Sequence, residues 1–152
     1  MHIEKAHTND SEILTQITMI SKAFWGYSEE QMTSWFPVLT ITKTYLETKE
    51  IYKLIVNNVV VGYYSFYKQN YSELILDNLF LLPEFIGKGI VSMLMNNFLN
   101  RIQDLGFTKV IVESDPNAEH FYEKFGFVKV QQIETVINNR FIPQMELKLT
   151  PN

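Results

Sequence analysis

Between Glu73 and Ser114 the chain passes from a long apolar run, ELILDNLFLL, through a helical pattern to a second apolar run, KVIVES. Two strands joined through a helix cannot close as a hairpin, so this stretch demands a parallel pair with a helix as its crossover. The helical signal is strong. Ile90, Leu94, Phe98, Ile102 and Leu105 recur at spacings of four and three, and Gly106 stands where a helix stop is wanted. The near-continuous apolar letters of ELILDNLFLL predict burial on both of its faces.

The remainder of the chain supplies antiparallel partners and covering helices. IYKLIV and VVVGYYSFYK are β-branched and aromatic runs joined by Asn57-Asn58, which predicts a hairpin, and Gly62 predicts a bulge within it. FVKVQQIET, a turn at Asn138-Asn139 and FIPQMELKL predict a closing pair, with Met145, Leu147 and Leu149 alternating with Glu146 and Lys148. Ahead of the sheet, Asn9 with Glu12 reads as the cap of a helix through Ile13, Ile17, Ile20 and Phe24. Ser28 with Gln31 reads as the capping box of a second helix, carrying Met32, Trp35 and Phe36 and stopped by Pro37. A short helix is expected from Ala118 to Phe125, capped by Asn117 and ended by Gly126. The expected order is β, α, α, β, β, β, α, β, α, β, β: an α/β fold, a mixed, mostly antiparallel sheet of about seven strands flanked by about four helices. Without repeats or linkers, 152 residues make one domain, 1–152.

Composition excludes several chemistries. With no cysteine there is no disulfide framework, thiolate nucleophile or Cys-based metal site, and the histidines His2, His7 and His120 show no ligand spacing. A net charge of −4 argues against a nucleic-acid footprint. MHIEKAHTNDSEI has no cationic stretch leading into an apolar one, and no apolar run reaches the length of a membrane span, so a cytoplasmic protein is expected. An anionic ligand would then be held by local geometry.

PEFIGKGIVSML, at the mouth of the long helix, offers that geometry. Helices usually carry Asp or Glu in their first turn, where the dipole is positive; here no acid occurs from Gly87 to Gln103, and Lys88 stands at the start. Glycines at 87 and 89 let the backbone approach a phosphate, with main-chain N–H groups as donors. A tight turn needing only positive φ explains the same letters. A dinucleotide site is a further alternative, with Gly87-x-Gly89 opening a helix and Glu113 ending the next strand, but Ser92 replaces the third glycine.

DNLFLLPEFIGKGIVSMLM followed by DPNAEHFYEKFGFVKV resembles the GNAT superfamily of acetyl-CoA-dependent N-acetyltransferases, strongly from Glu73 to Val130. The family signature R/Q-x-x-G-x-G/A falls on Ile86, Gly89 and Val91; Ile86 offers a backbone N–H in place of a polar side chain, and Val91 adds bulk. The resemblance implies a parallel pair that splays apart, with the pantetheine arm along Phe80, Leu81 and Leu82. It implies acetyl-CoA as co-substrate, held also by Ile86, Gly87, Lys88, Gly89, Ile90 and Val91. Asn117 is expected to touch the pantetheine, and Tyr122 to protonate the departing thiolate.

An amine acceptor must lose a proton before it attacks. Asp77 interrupts an apolar strand and Glu73 lies four residues earlier, which makes both candidates for the base, beside the reading that Glu73 is solvated and Asp77 structural. In the family the acceptor pocket lies near the first helices and last hairpin, which points to Trp25, Tyr27 and Arg140 as substrate-binding residues. The expected function is acetyl transfer to a primary amine of a small molecule or peptide, without metal, nucleic acid or membrane. A non-catalytic acyl-CoA-binding regulatory module is the alternative. FIPQMELKL as an exposed terminal strand leaves a homodimer open.

Overall fold

The computed structural model describes residues 1–135 and 140–150. Its strands are β1 (His2–Lys5), β2 (Glu50–Val56), β3 (Val59–Lys68), β4 (Glu73–Leu81), β5 (Lys109–Glu113), β6 (Val128–Glu134) and β7 (Phe141–Lys148). The helices are α1 (Ser11–Ala23), α2 (Glu29–Leu39), α3 (Lys43–Thr48), α4 (Ile90–Ile102) and α5 (Glu119–Lys124). The strands form one sheet in the order β1-β2-β3-β4-β5-β7-β6. The β4–β5 pair is parallel, from Glu73↔Lys109 to Leu76↔Val112. This is the mixed, mostly antiparallel α/β sheet expected, with five helices among the described residues where about four were foreseen. No helix among those residues is long and apolar enough to cross a membrane. The turn expected at Asn138-Asn139 lies outside the described residues.

By packing, the chain falls into two compact units: Met1–Phe66 with Asn78–Phe98, and Tyr67–Asp77 with Leu99–Asn152. In the first, Leu14, Ile17, Ile41, Leu46, Ile51 and Tyr63 form the core. On α4, Leu94, Met95 and Phe98 are fully buried, and the Phe98 ring meets Tyr64 and Phe66 at 5.5 and 5.2 Å. Asn57 and Asn58 both take positive φ, as a two-residue hairpin turn requires. The register shifts between Leu54↔Gly62 and Ile55↔Val60, which places the bulge beside Gly62.

Several local expectations change. The buried stripe of α1 is Leu14, Thr15, Ile17, Thr18, Ser21 and Lys22, while Ile20 and Phe24 are exposed. Polar side chains can line this interior because they are satisfied there. Thr18 Oγ1 donates to the Leu14 carbonyl and shares a hydrogen bond with the Tyr63 hydroxyl, and Ser21 Oγ donates to the Leu81 carbonyl at 3.0 Å. Asn9 does not cap α1; the Asp10 side chain accepts the His7 N–H at 2.7 Å in a reciprocal capping box one turn earlier. Ser28 and Gln31 do form the capping box of α2, but Pro37 lies within that helix, which ends at Leu39. Helix α3, capped by Thr42, was not foreseen. β4 is not buried on both faces: Leu74 and Leu76 are buried while Asp77 is exposed.

In the second unit β5 lies between β4 and β7, and β7 lies between β5 and β6. β7 is therefore an interior strand, and its role as an exposed dimer edge is withdrawn; β6 is the edge. The cap of the turn before α5 is Asp115, whose side chain accepts the Asn117 N–H, and not Asn117 itself.

Gly62 is required for space. A Cβ built there would stand 2.8 Å from the Phe80 carbonyl oxygen and 2.9 Å from Leu81 Cδ1, in the neighbouring strand. Gly62→Ala should therefore cost about 1–3 kcal/mol through overpacking. Urea unfolding monitored by circular dichroism checks this, with an unchanged midpoint as the contrary result.

Candidate active site

The first unit holds the glycine loop and the end of β4. Gly87 and Gly89 both have positive φ, +88° and +76°, and a Cβ added to either would meet no protein atom within 4 Å. Their need for glycine is thus conformational, and the space beside their backbone is open. Met93 N–H donates to the Gly89 carbonyl at 3.1 Å, and α4 carries no acid in its first turn. The amides ahead of Met93 belong to the helix start, where the ladder supplies no partners and the dipole is positive. The Ile86 N–H is different: it donates to the Pro83 carbonyl at 3.1 Å and is already committed. Lys88 is exposed and its ammonium lies 5.8 Å from the Phe85 ring centroid; Ile90 and Val91 are half-buried.

β4 runs on from Asp77 to Leu81, past its last pair with β5. Leu81 is buried, Phe80 packs on Tyr63, and Leu82 N–H donates to the Val61 carbonyl at 2.8 Å. The two candidate acceptor aromatics diverge. Tyr27 packs edge-on against the buried Trp35 at 4.7 Å, with the Lys22 ammonium over both rings, whereas Trp25 is 41% exposed beside Phe24.

The second unit holds Tyr122, Asn117 and Arg140. Tyr122 is buried, its ring edge-on to Phe121 and Phe127 at 5.3 and 5.4 Å. Burial, and after it the Asp115 charge, push its phenol well above the ordinary range, so it stays protonated. Among the described residues none hydrogen-bonds that hydroxyl. Asn117 is exposed, and both its N–H and its Nδ2 donate to Asp115 Oδ1 at 2.9 Å. Arg140 Nη2 donates to Asp115 Oδ2 at 3.4 Å. Asp115, which joins these groups, was missed in the sequence; an Asx cap before a turn carries no other mark there.

The candidate carboxylates fare differently. Glu73 accepts from Asn70 at 2.8 Å and pairs with Lys109 at 3.1 Å, and these bonds hold it below its ordinary pKa. Asp77 is exposed at the middle of the same strand. Glu113, considered only as a ribose-binding acid, ends β5 one residue beyond the Leu76↔Val112 pair, level with Asp77. Loss of water, and after it the Asp77 charge, raise the Glu113 carboxyl above the usual carboxylate range. The same two carboxylates, behind burial, raise the Tyr67 phenol. The structure thus groups Asp77 with Glu113 and Tyr67, and sets Glu73 apart with Lys109.

Comparison with known proteins follows the same line. The family described as acetyltransferase (GNAT) domain matches residues 26–149. Among solved structures, the chain is similar to a GCN5-related N-acetyltransferase from Rhodopseudomonas palustris, with TM-score 0.80 and 20% identity over 97% of this chain and 95% of that one. It is similar to the PaiA N-acetyltransferase from Thermoplasma acidophilum in complex with coenzyme A, with TM-score 0.77 and 20% identity over 97% and 99%. It is also similar to a GNAT family acetyltransferase from Elizabethkingia anophelis with acetyl-CoA bound, with TM-score 0.69 and 16% identity over 97% of each chain. At such identities the likeness is one of fold. No curated protein sequence matches the chain significantly.

Because Asp77 supplies part of the upward shift at Glu113, Asp77→Asn should lower the Glu113 midpoint toward the ordinary carboxylate value and lower that of Tyr67 with it. Carbon-detected NMR titration of the side-chain carboxyls reads the change directly; an unmoved Glu113 midpoint would leave burial as the whole cause.

Proposed function

The chain belongs to the GNAT acetyltransferase family, and from that premise we propose that it moves an acetyl group from acetyl-CoA to a primary amine of a small molecule or peptide. One domain, residues 1–152, carries the reaction in this reading, and the enzyme is an acyltransferase. Relatives of this fold have been solved with coenzyme A or acetyl-CoA bound. The residues present suit such a ligand: an acid-free helix start, two glycines in the left-handed region and open space beside them. Gly87 to Val91 would receive the pyrophosphate through main-chain N–H groups, with Ile86 contributing shape, since its own N–H is taken. Lys88 would add a point charge. Phe80, Leu81 and Leu82 would border the pantetheine, and Asn117 would touch it.

Acetyl-CoA supplies the activated carbonyl. The acceptor amine must first give up a proton. Glu73 is held by Asn70 and Lys109 in the form least inclined to take one. The role therefore falls to Asp77, at the middle of the strand, with the raised proton affinity of Glu113 beside it. The amine nitrogen then attacks the thioester carbon, the carbon–sulfur bond breaks, and the sulfur takes the Tyr122 proton. A buried phenol that stays neutral carries the proton that step requires. Tyr122 is the observation that carries the reading. Trp25 and Tyr27 would wall the acceptor, with Arg140 on the acceptor side as the substrate-binding cation.

Isothermal titration with acetyl-CoA, with NADH as control, followed by thiol-release assays on tyramine, putrescine and a peptide with a free N-terminus, tests the function. Saturable binding of acetyl-CoA with turnover of an amine is expected. Tyr122→Phe should lower kcat by about 10²–10⁴-fold with acetyl-CoA affinity retained. Binding without turnover of any amine would favour a regulatory acyl-CoA-binding module, and NADH binding alone would overturn the assignment.

A further inference from the structure

Asp115 joins more of the second unit than any role as a turn cap requires. It follows β5 and precedes the turn that carries Asn117. Its side chain is one-tenth exposed. Oδ1 accepts both Asn117 donors, while Oδ2 accepts from Arg140, which stands immediately ahead of β7. The preceding residue, Ser114, is buried, donates its N–H to the Pro143 carbonyl of β7 at 2.9 Å, and donates its hydroxyl to the Asp115 carbonyl at 2.7 Å. The loop is therefore tied to β7 by its main chain at Ser114 and by charge at Asp115.

These bonds have different chemical requirements. Accepting the Asn117 N–H needs only a short side chain with an oxygen, and Asn or Ser would do it as well. Pairing with Arg140 needs the charge. A carboxylate this enclosed is costly unless paired, and its partner comes from the far side of the β6–β7 connection. The Asp115 charge also contributes to the raised proton affinity of Tyr122, so the carboxylate lies within electrostatic reach of that phenol.

We infer that Asp115 is a positioning residue through which Arg140 acts on the cofactor-contacting turn, so that Arg140 governs coenzyme A binding by holding Asp115 and Asn117 in place rather than by touching the ligand. This inference rests on the proposed function. It separates two roles for Arg140 that the amino-acid sequence leaves alike: a direct contact with phosphates, and a hold on a neighbouring loop.

A double-mutant cycle decides between them, with coenzyme A itself as the probe and isothermal titration as the readout. Arg140→Gln is expected to weaken coenzyme A binding by about fivefold in the wild-type background, a typical size for a coupled charged pair. In the Asp115→Asn background, where Asn117 keeps its acceptor but the charge pair is gone, Arg140→Gln should change the affinity by less than about twofold. Thermal unfolding measured on all four proteins accompanies the cycle. An Arg140→Gln effect of equal size in both backgrounds would overturn the inference in favour of direct contact with the ligand. A lowered Tm with an unchanged Kd for Arg140→Gln would overturn it in favour of a purely structural ion pair. Failure of the wild type to bind coenzyme A would refute the proposed function and this inference with it, whereas binding that is indifferent to Arg140→Gln refutes the inference alone.

Discussion

The parallel pairing of β4 with β5 organises the rest of the chain. Parallel strands need a crossover, and α4 is that crossover, so the end of β4 is followed by a turn into a helix start. Amides that cannot enter the helix ladder are then unavoidable, and so is the positive end of a dipole. The pairing is also short. It ends at Leu76↔Val112 while β4 continues to Leu81; that continuation is held by β3, where Leu82 donates to Val61, while the carbonyl of the same peptide, Leu81, points the opposite way and accepts from Ser21. Gly62 lets β3 come close enough for this, since any side chain would meet the Phe80 carbonyl.

An acidic protein proposed to take a polyanionic ligand has an electrostatic problem to solve locally. With a net charge of −4 the whole molecule offers no attraction. The start of α4 answers by exclusion, with no acid in its first turn and Lys88 ahead of it. Fixed amide dipoles need no counter-charge of their own, and a screening electrolyte affects them less than it would a spread of surface lysines. The same economy of charge recurs around Asp115, whose carboxylate meets one guanidinium and two neutral donors.

Much of this was legible in the sequence, and the parts that were not share a physical cause. The strands, the asparagine hairpin turn, the Ser28–Gln31 box and the buried line of α4 are written in repeating letters or in residues with special backbone preferences. The face of α1 was misread because its interior is lined by Thr18 and Ser21, which are buried at little cost once their hydroxyls are bonded. Helix α3 is six residues long, too short for a period to show, and its Thr42 cap has many possible meanings. The candidate site divides in the same way. Gly87, Gly89, Asn117 and Tyr122 belong to a recognisable pattern, but the bonds of Asp115 to Arg140 and the nearness of Glu113 to Asp77 join residues far apart in the chain, and no local pattern records them.

Four carboxylates in the second unit show why residue type alone could not assign roles. Glu73 and Asp77 lie on one strand, four residues apart, and both are candidate bases by residue type, Asp77 ahead of Glu73. Yet Glu73 pairs with Lys109, which pairs in turn with Glu146, so its negative form is stabilised and its appetite for a proton falls. Glu113 has the opposite surroundings, less water and a like charge level with it on the next strand, so its appetite rises. Asp115 is enclosed, but it faces a guanidinium and amide donors and is spent on holding them. A proton acceptor must take a proton and give it back, and a raised proton affinity favours that role. The proton affinity of Glu113 is raised in part because β4 brings Asp77 level with the end of β5, at the point where the parallel pairing stops.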